Sequence, residues 1–301
     1  MIRRVGLAAV LALATSARAE ETEVSFAYVP AQGVEEIVVE QPLGRLTVRG
    51  WDRPEVRIAA TKRAPDHAGL DRLRVRVELK DGRVEVAAGV RVDERLRVIP
   101  AGQAYAIDLA VDAPSGAGVR ARTFDGDLDV IGLRRGAQLS SSGGAIHATD
   151  IDGPVRSSAT RGRQRLAAIR GDVEADGLRG DLELDSIEGE QLRASIVDGT
   201  VTARRIRATA VEVVVVHGSI RFGGAMPIGA RWVLRAPEGD ASVSIDTERV
   251  ALQLRGDRAL RLPAWARRPG GQAPHELRAP RPGAARLLEA FASGVLELQG
   301  P

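Results

Sequence analysis

Residues 171–189 read GDVEADGLRGDLELDSIEG. Glycines stand at 171, 180 and 189, nine apart, and apolar residues follow each of the first two at the same offset, Val173 and Leu182. On either side, glycines recur at 126, 136, 144, 153, 162, 171, 180, 189, 199 and 218, with Ala208 standing where another falls due. Two residues before a glycine come Ile151, Ile169, Leu178, Ile187, Val197 and Val216. Two after come Leu128, Ile146, Val155, Val173, Leu182, Val201 and Ile220. A glycine turn tolerates positive φ at little cost. The residues between turns suit one short strand whose side chains alternate between faces. One such unit cannot bury its apolar side alone, so units must stack. The expectation is a β-solenoid with about nine residues per strand-turn unit. If two units make one coil, residues 18 apart stack, placing Arg156 beside Glu174, Arg163 beside Asp181 and Arg165 beside Glu183. Units 162 and 189 fit less well, because Gln164, Gln191 and Arg193 fall on inward slots. Local bulges are expected there, or a one-residue shift that turns Leu192 inward.

The chain before the repeat alternates with period two. Leu73, Val75, Val77 and Leu79 interleave with Arg74, Arg76 and Glu78. Asp81-Gly82 then separates that run from Val84 and Val86, which is a strong hairpin signal. Further strands are expected at Ile37–Val39, Leu46–Val48, Val56–Ile58 and Tyr105–Val111. After the repeat, Trp232–Leu234 and Val243–Ile245 read as strands. Residues 261–282 are rich in Pro, Arg and Gly and read as a long loop. Leu287–Leu298 reads as a short helix and a strand, or as a last coil around Gly294. The fold class is therefore all-β. Residues 1–19 are expected to be a signal peptide, 20–114 a strand-rich N-terminal part, 115–224 the solenoid repeats, and 225–301 C-terminal strands with a loop and cap.

The first nineteen residues have the form of an export signal. Arg3 and Arg4 are followed by an apolar run from Val5 to Ala14, and Ala17-Arg18-Ala19 supplies small residues for cleavage before Glu20. The run is too short to span a bilayer, which takes roughly 20 helical residues. Cysteine is absent, which excludes thiol chemistry, thiolate metal sites and disulfides. Without Arg3, Arg4 and Arg18 the chain holds 40 basic and 40 acidic residues, so it lacks the concentrated basic field of a nucleic-acid binder. Aromatic residues make up 3%, so stacking platforms for bases or sugars are scarce. The mature chain is expected to be exported, to periplasm, cell surface or medium, with no transmembrane segment after cleavage.

Residues 107–114 (IDLAVDAP) and 119–132 (VRARTFDGDLDVIG), with the Gly-Asp-Val/Leu units after them, resemble a bacterial family of putative adhesins. That family is a domain of unknown function related to the GIN head domain of autotransporter adhesins. Residues 43–52 (LGRLTVRGWD) resemble its opening strands, and the resemblance covers roughly residues 35–300. It implies an exported β-solenoid and brings no catalytic residues. The chain departs from the family in its arginine content and its irregularity near 162 and 189. No membrane barrel is expected in it, so a true autotransporter is not the expectation.

Each motif with chemical potential has a plainer reading. His67, His147, His217 and His275 show no ligand spacing such as His-x3-His. Gly-Asp recurs, but not as the dense Gly-Gly-x-Gly-x-Asp repeat that gathers calcium. Arg-Gly-Asp at 170–172, 179–181 and 255–257 is what an arginine-rich chain with Gly-Asp turns yields by composition. Asp127/Asp129, Asp172/Glu174 and Asp181/Glu183 each put two carboxylates on one strand face, the raw material of a polysaccharide-cleaving site, but a solvated ion-pair ladder is the plainer reading. No catalytic, cofactor-binding or metal residue is therefore assigned, and no cofactor is expected. The function that follows is a non-enzymatic scaffold, an adhesin or envelope-binding protein, whose partner is an unidentified envelope protein or polysaccharide and not nucleic acid. The alternatives are a polysaccharide-active β-helix enzyme of the envelope and a partner-binding module of an envelope signalling system.

Overall fold

The computed structural model describes residues 3–4, 8–13, 21–92, 95–97, 105–245, 250–263, 266, 275–279 and 285–299. The chain divides into two compact units, Met1–Asp152 and Gly153–Pro301. Among the described residues both are built almost wholly of strands. The expected cleavage site, residues 17–20, lies outside the described residues.

The N-terminal unit contains β1 (Arg3–Arg4), β2 (Ala8–Leu13), β3 (Glu21–Pro30), β4 (Glu36–Leu43), β5 (Leu46–Trp51) and β6 (Glu55–Ala64). A single helical turn follows, α1 (His67–Leu70), capped by the Asp66 carboxylate, which accepts the Gly69 N–H at 2.6 Å. Then come β7 (Leu73–Lys80), β8 (Arg83–Val92), β9 (Arg95–Arg97) and β10 (Ala106–Pro114). Last are β11 (Gly118–Asp125), β12 (Leu128–Leu133), β13 (Ala137–Ser141) and β14 (Ile146–Asp152). β4–β5, β11–β12 and β13–β14 form three two-strand layers that stack in parallel. Leu46, Leu128 and Ile146 align across one ladder, and Ile37, Val119 and Ala137 across the other. All six are buried. Each large aliphatic among them contributes about 1.5–3 kcal/mol relative to exposure.

Antiparallel strands close one end of this parallel stack. β8 lies parallel to β4 and pairs antiparallel with β7, while β10 lies parallel to β5 and pairs antiparallel with β6, which pairs with β3. The hairpin expected at Asp81-Gly82 is present, with Lys80 opposite Arg83. Its two central residues have φ of +50° and +72°, the pair of positive values that a tight primed turn requires. β2 runs antiparallel beside β3, and β1 beside β7.

The C-terminal unit contains β15 (Val155–Arg161), β16 (Gln164–Arg170), β17 (Val173–Arg179) and the long, repeatedly turning β18 (Leu182–Gly224). β19 (Arg231–Ala236), β20 (Glu238–Ile245), β21 (Ala251–Gly256), β22 (Ala259–Arg261), β23 (Glu276–Ala279), β24 (Leu287–Ala292) and β25 (Val295–Gln299) complete it. Parallel pairs again stack as layers. Val155 meets Val173 and Gln164 meets Leu182, 18 residues on. The next step is longer: Val173 meets Leu192, 19 residues on. That extra residue is the expected shift at 189. It leaves Gln191 and Arg193 exposed and buries Leu192.

No shift or bulge occurs at 162, contrary to expectation. Gln164 stays in register, points inward and is 1% exposed. Its amide is satisfied where it lies: Oε1 accepts the Ser157 hydroxyl at 2.5 Å, and Nε2 donates to the Asp176 carbonyl at 2.8 Å. A buried polar group with both ends bonded avoids the desolvation penalty that a bulge would otherwise relieve.

The glycines do more than turn the chain. Gly162, Gly180, Gly199 and Gly218 stack so closely that a Cβ on any of the last three would overlap the carbonyl oxygen of the glycine before it. The two strands of a layer also differ. Second strands carry one residue in the left-handed region, Ala168, Ser186 and Arg205, at φ of +51°, +56° and +53°. This brings Ile169, Ile187 and Ile206 inward near the strand end. First strands lack that step, so Leu178 is 46% exposed and Val197 and Val216 are only half-buried. The apolar phase expected two residues before each glycine therefore holds in one strand of each layer and fails in the other.

The C-terminal end is threaded out of chain order. β24 lies between β19 and β21, parallel to both, and β25 likewise lies between β20 and β22. Leu287–Leu298 is thus two strands around Gly294, with no helix, and it is not the outermost layer. β23 pairs antiparallel with the far side of β21 and covers that edge, within the stretch expected to be loop. Trp232, fully buried, donates its indole N–H to the Ala208 carbonyl at 2.8 Å and meets Phe222 edge-on at 5.1 Å.

Candidate functional site

Sequence alone offered carboxylates and histidines as chemistry, and the structure gives most of them local partners. The aspartate after a layer glycine reaches into the next layer. Asp127 accepts the Ala145 N–H at 3.0 Å, Asp172 those of Glu190 and Gln191 at 3.1 and 2.9 Å, and Asp181 that of Thr200 at 3.1 Å. Asp240 does the same for Val295 at 2.6 Å. A turn N–H left over by the strand ladder thus finds an ionised acceptor, a charge-assisted bond stronger than a neutral one. These bonds explain the recurring Gly-Asp without calcium or a receptor. Asp172 and Asp181, the acids of two Arg-Gly-Asp triplets, are tied to the backbone in this way, and Asp257 of the third pairs with Arg255 at 2.8 Å.

The second acid of each candidate pair is also engaged. Asp129 meets His147 at 3.1 Å, Glu174 meets Arg156 at 3.1 Å, and Glu183 lies 3.8 and 3.9 Å from Arg163 and Arg165. Arg163 therefore pairs with Glu183 and not with Asp181, whose side chain is turned to Thr200. The carboxyl of Asp176, which sequence reasoning did not single out, is pushed upward, by partial burial first and the nearby Glu174 second.

Each of three histidines faces carboxylates of its own. His67 is 3.2 Å from Glu21, and His217 stands between Asp198 and Glu238, 3.1 Å from each. Asp198 meets one ring nitrogen and Glu238 the other, so these acids flank the ring and do not converge. Among the described residues no group of three or more His, Asp or Glu side chains could hold a metal ion.

What the layers present outward is a set of charge columns. In one, Arg156, Glu174 and Arg193 stand in register on successive first strands. Farther along the same unit Glu212 meets Arg235 at 3.0 Å. In another, Arg179 and Asp198 are in register with their charges 3.7 Å apart. All these groups are substantially solvated, so each pair is worth about 0–1 kcal/mol.

Each unit also carries an open trough. One, in the N-terminal unit, has a volume of about 490 Å³ and is walled by Arg76, Arg122 and Phe124. The other, in the C-terminal unit, has about 740 Å³ and is rimmed by Arg170, Arg204, Arg205 and Arg207, with Glu188 among them. Arg205 is held by Asp185 and Ser186. Sequence reading found neither trough, because each depends on small side chains of one strand falling between long ones of its neighbours.

No protein-family model matches the chain, and no curated protein matches it. Among solved structures, a putative lipid binding protein from Parabacteroides distasonis is similar at 8% identity and a TM-score of 0.44, over 92% of this chain and 96% of that one. A putative adhesin from Parabacteroides merdae is similar at 10% identity and a TM-score of 0.36, over 92% and 93%. A putative cell adhesion protein from Clostridium sporogenes is similar at 7% identity and a TM-score of 0.24, over 94% and 100%.

Proposed function

We propose that the chain is an exported, non-catalytic β-solenoid scaffold that binds an envelope polysaccharide or protein through its outer face. In this reading residues 1–19 are the export signal, 20–114 lead in, 115–224 are the repeat and 225–301 close it. The observation that carries the reading is the in-register column Arg156, Glu174 and Arg193 on successive layers. Alternating charges on a rigid, regular face favour broad and weak contact with a polymer, and such contact is screened by salt. The carboxylates that could have served catalysis are already bonded to backbone N–H groups, to arginines or, for Asp129, to His147. No described helix is long and apolar enough to cross a membrane.

The test is co-sedimentation of the mature chain with isolated cell envelopes. Binding should be present at low salt and should fade as the Debye length falls from about 10 Å at 0.1 M to about 3 Å at 1 M. Salt-independent binding, or cleavage of an envelope polysaccharide by the purified chain, would contradict the reading. Mass spectrometry of the exported protein should find Glu20 as the first residue.

A further inference from the structure

The trough of the N-terminal unit has a chemistry of its own. β7, β8, β4, β11 and β13 lie side by side, and their register sets Arg76, Ala87, Glu40, Arg122 and Ser140 in one row. Four strand spacings of about 4.8 Å make that row roughly 19 Å long. Arg76, Glu40 and Arg122 are exposed on its outer face. Ala87 on β8 and Pro42 on β4 are short, whereas Arg76, Arg122 and Phe124 around them are long. The trough follows from that contrast, and these residues line it.

Three features single out a ligand class. Phe124, two residues on from Arg122 along β11, is 51% exposed and lines the trough, in a chain where aromatic residues are only 3%. An exposed ring offers an apolar platform to a ligand with one apolar face. Arg122 makes no ion pair with any described residue, so its guanidinium is open to an external carboxylate, the partner its planar fork fits best. Glu40 and the hydroxyls of Ser140 and Ser142 complete the lining and suit a ligand rich in hydroxyl groups. A C–H face, a carboxylate and several hydroxyls on one ring describe a uronic acid. The open row across five strands suits linked rings better than one enclosed molecule.

We propose that this trough binds a segment of uronic-acid polysaccharide, with Phe124 under a sugar face and Arg122 on its carboxylate. The proposal rests on the scaffold reading and names the polymer for it. The test is calorimetric titration of the mature chain with tetragalacturonate and with its neutral methyl ester. The acid should bind at least about tenfold more tightly than the ester, because only the acid offers Arg122 a charged acceptor. Arg122→Gln and Phe124→Ser should each weaken the acid about tenfold or more. Phe124→Leu, which keeps an apolar side chain but no ring, should weaken it too, and Arg204→Gln in the other trough should leave it unchanged. Equal affinity for acid and ester, no measurable binding, or full affinity in both the Arg122→Gln and Phe124→Leu chains would overturn the proposal. If tetragalacturonate fails while salt-sensitive envelope binding persists, the trough assignment falls and the scaffold reading stands. If envelope binding is also absent, both fall.

Discussion

In the C-terminal unit, β15, β16, β17 and the start of β18 follow glycines nine residues apart, and the two strands of a layer solve different problems. First strands, such as β15 and β17, keep strict alternation and then let the chain turn with a polar or exposed end, as at Leu178. Second strands, such as β16, insert one left-handed residue and so bury an extra isoleucine before the next glycine. One glycine-to-glycine stretch here thus supplies one strand of a layer, and the two strands are not interchangeable. The cost is backbone strain at Ala168, Ser186 and Arg205, about 1–2 kcal/mol for each non-glycine residue held left-handed. A buried isoleucine worth about 1.5–3 kcal/mol offsets it.

The largest effect should separate core from turn. Leu182→Asp puts an unpaired charge into a fully buried site and should cost about 4 kcal/mol or more. Leu178→Asp, at the exposed end of a first strand, should change stability by no more than about 0.5 kcal/mol. Urea denaturation of both chains reads the difference directly, and equal midpoints would erase the distinction between the strands.

Next comes the glycine column. Gly180→Ala meets the Gly162 carbonyl oxygen at a φ of +130° and should cost about 2–3 kcal/mol. Gly229→Ala, at a φ of +82° with open space around it, should lose only the conformational share, about 1 kcal/mol. Comparable melting shifts for the two would mean that stacking contributes nothing to the glycine requirement.

The strands should also answer oppositely to one substitution. Ala168→Gly relieves a left-handed residue and should stabilise by about 0.5–1 kcal/mol. Ala159→Gly removes a buried methyl from an extended first strand and should destabilise by about 1 kcal/mol. Calorimetric melting of the two variants should therefore move in opposite directions.

Much of this was legible in the sequence. Val173 and Leu182 announced the inward positions, Asp81-Gly82 the hairpin, and Gln191-Leu192-Arg193 the one-residue shift. The rest depended on partners remote in the chain. Nothing local to Gln164 shows that Ser157 and the Asp176 carbonyl will bond it, so its polarity read as a defect. Leu178 kept the apolar phase of Ile169 and Ile187, and only the absence of a left-handed residue in its own strand turns it outward. The out-of-order insertion of β24 and β25 left no trace in periodicity, because both neighbours present equivalent ladders. The trough at Arg122 and Phe124 was hidden for a related reason: its floor, Ala87, is 35 residues away in sequence.

The smallest effect expected is that of the outer charges. Arg156→Ser should lower stability by less than about 1 kcal/mol, and less still in high salt. Its value lies in register, which the same position can report. The chain has no cysteine, so a pair introduced at 156 and 174 can be oxidised without competitors. Neighbouring parallel strands lie about 4.8 Å apart, within the Cα separation that a disulfide spans. Mild oxidation of the Arg156→Cys, Glu174→Cys chain should close a disulfide quickly, whereas Arg156→Cys, Glu183→Cys, the partner that a three-unit coil would supply, should stay reduced. Closure of the second pair in place of the first would contradict the two-strand layer, 18 residues long at this step, on which the fold and its charge columns rest.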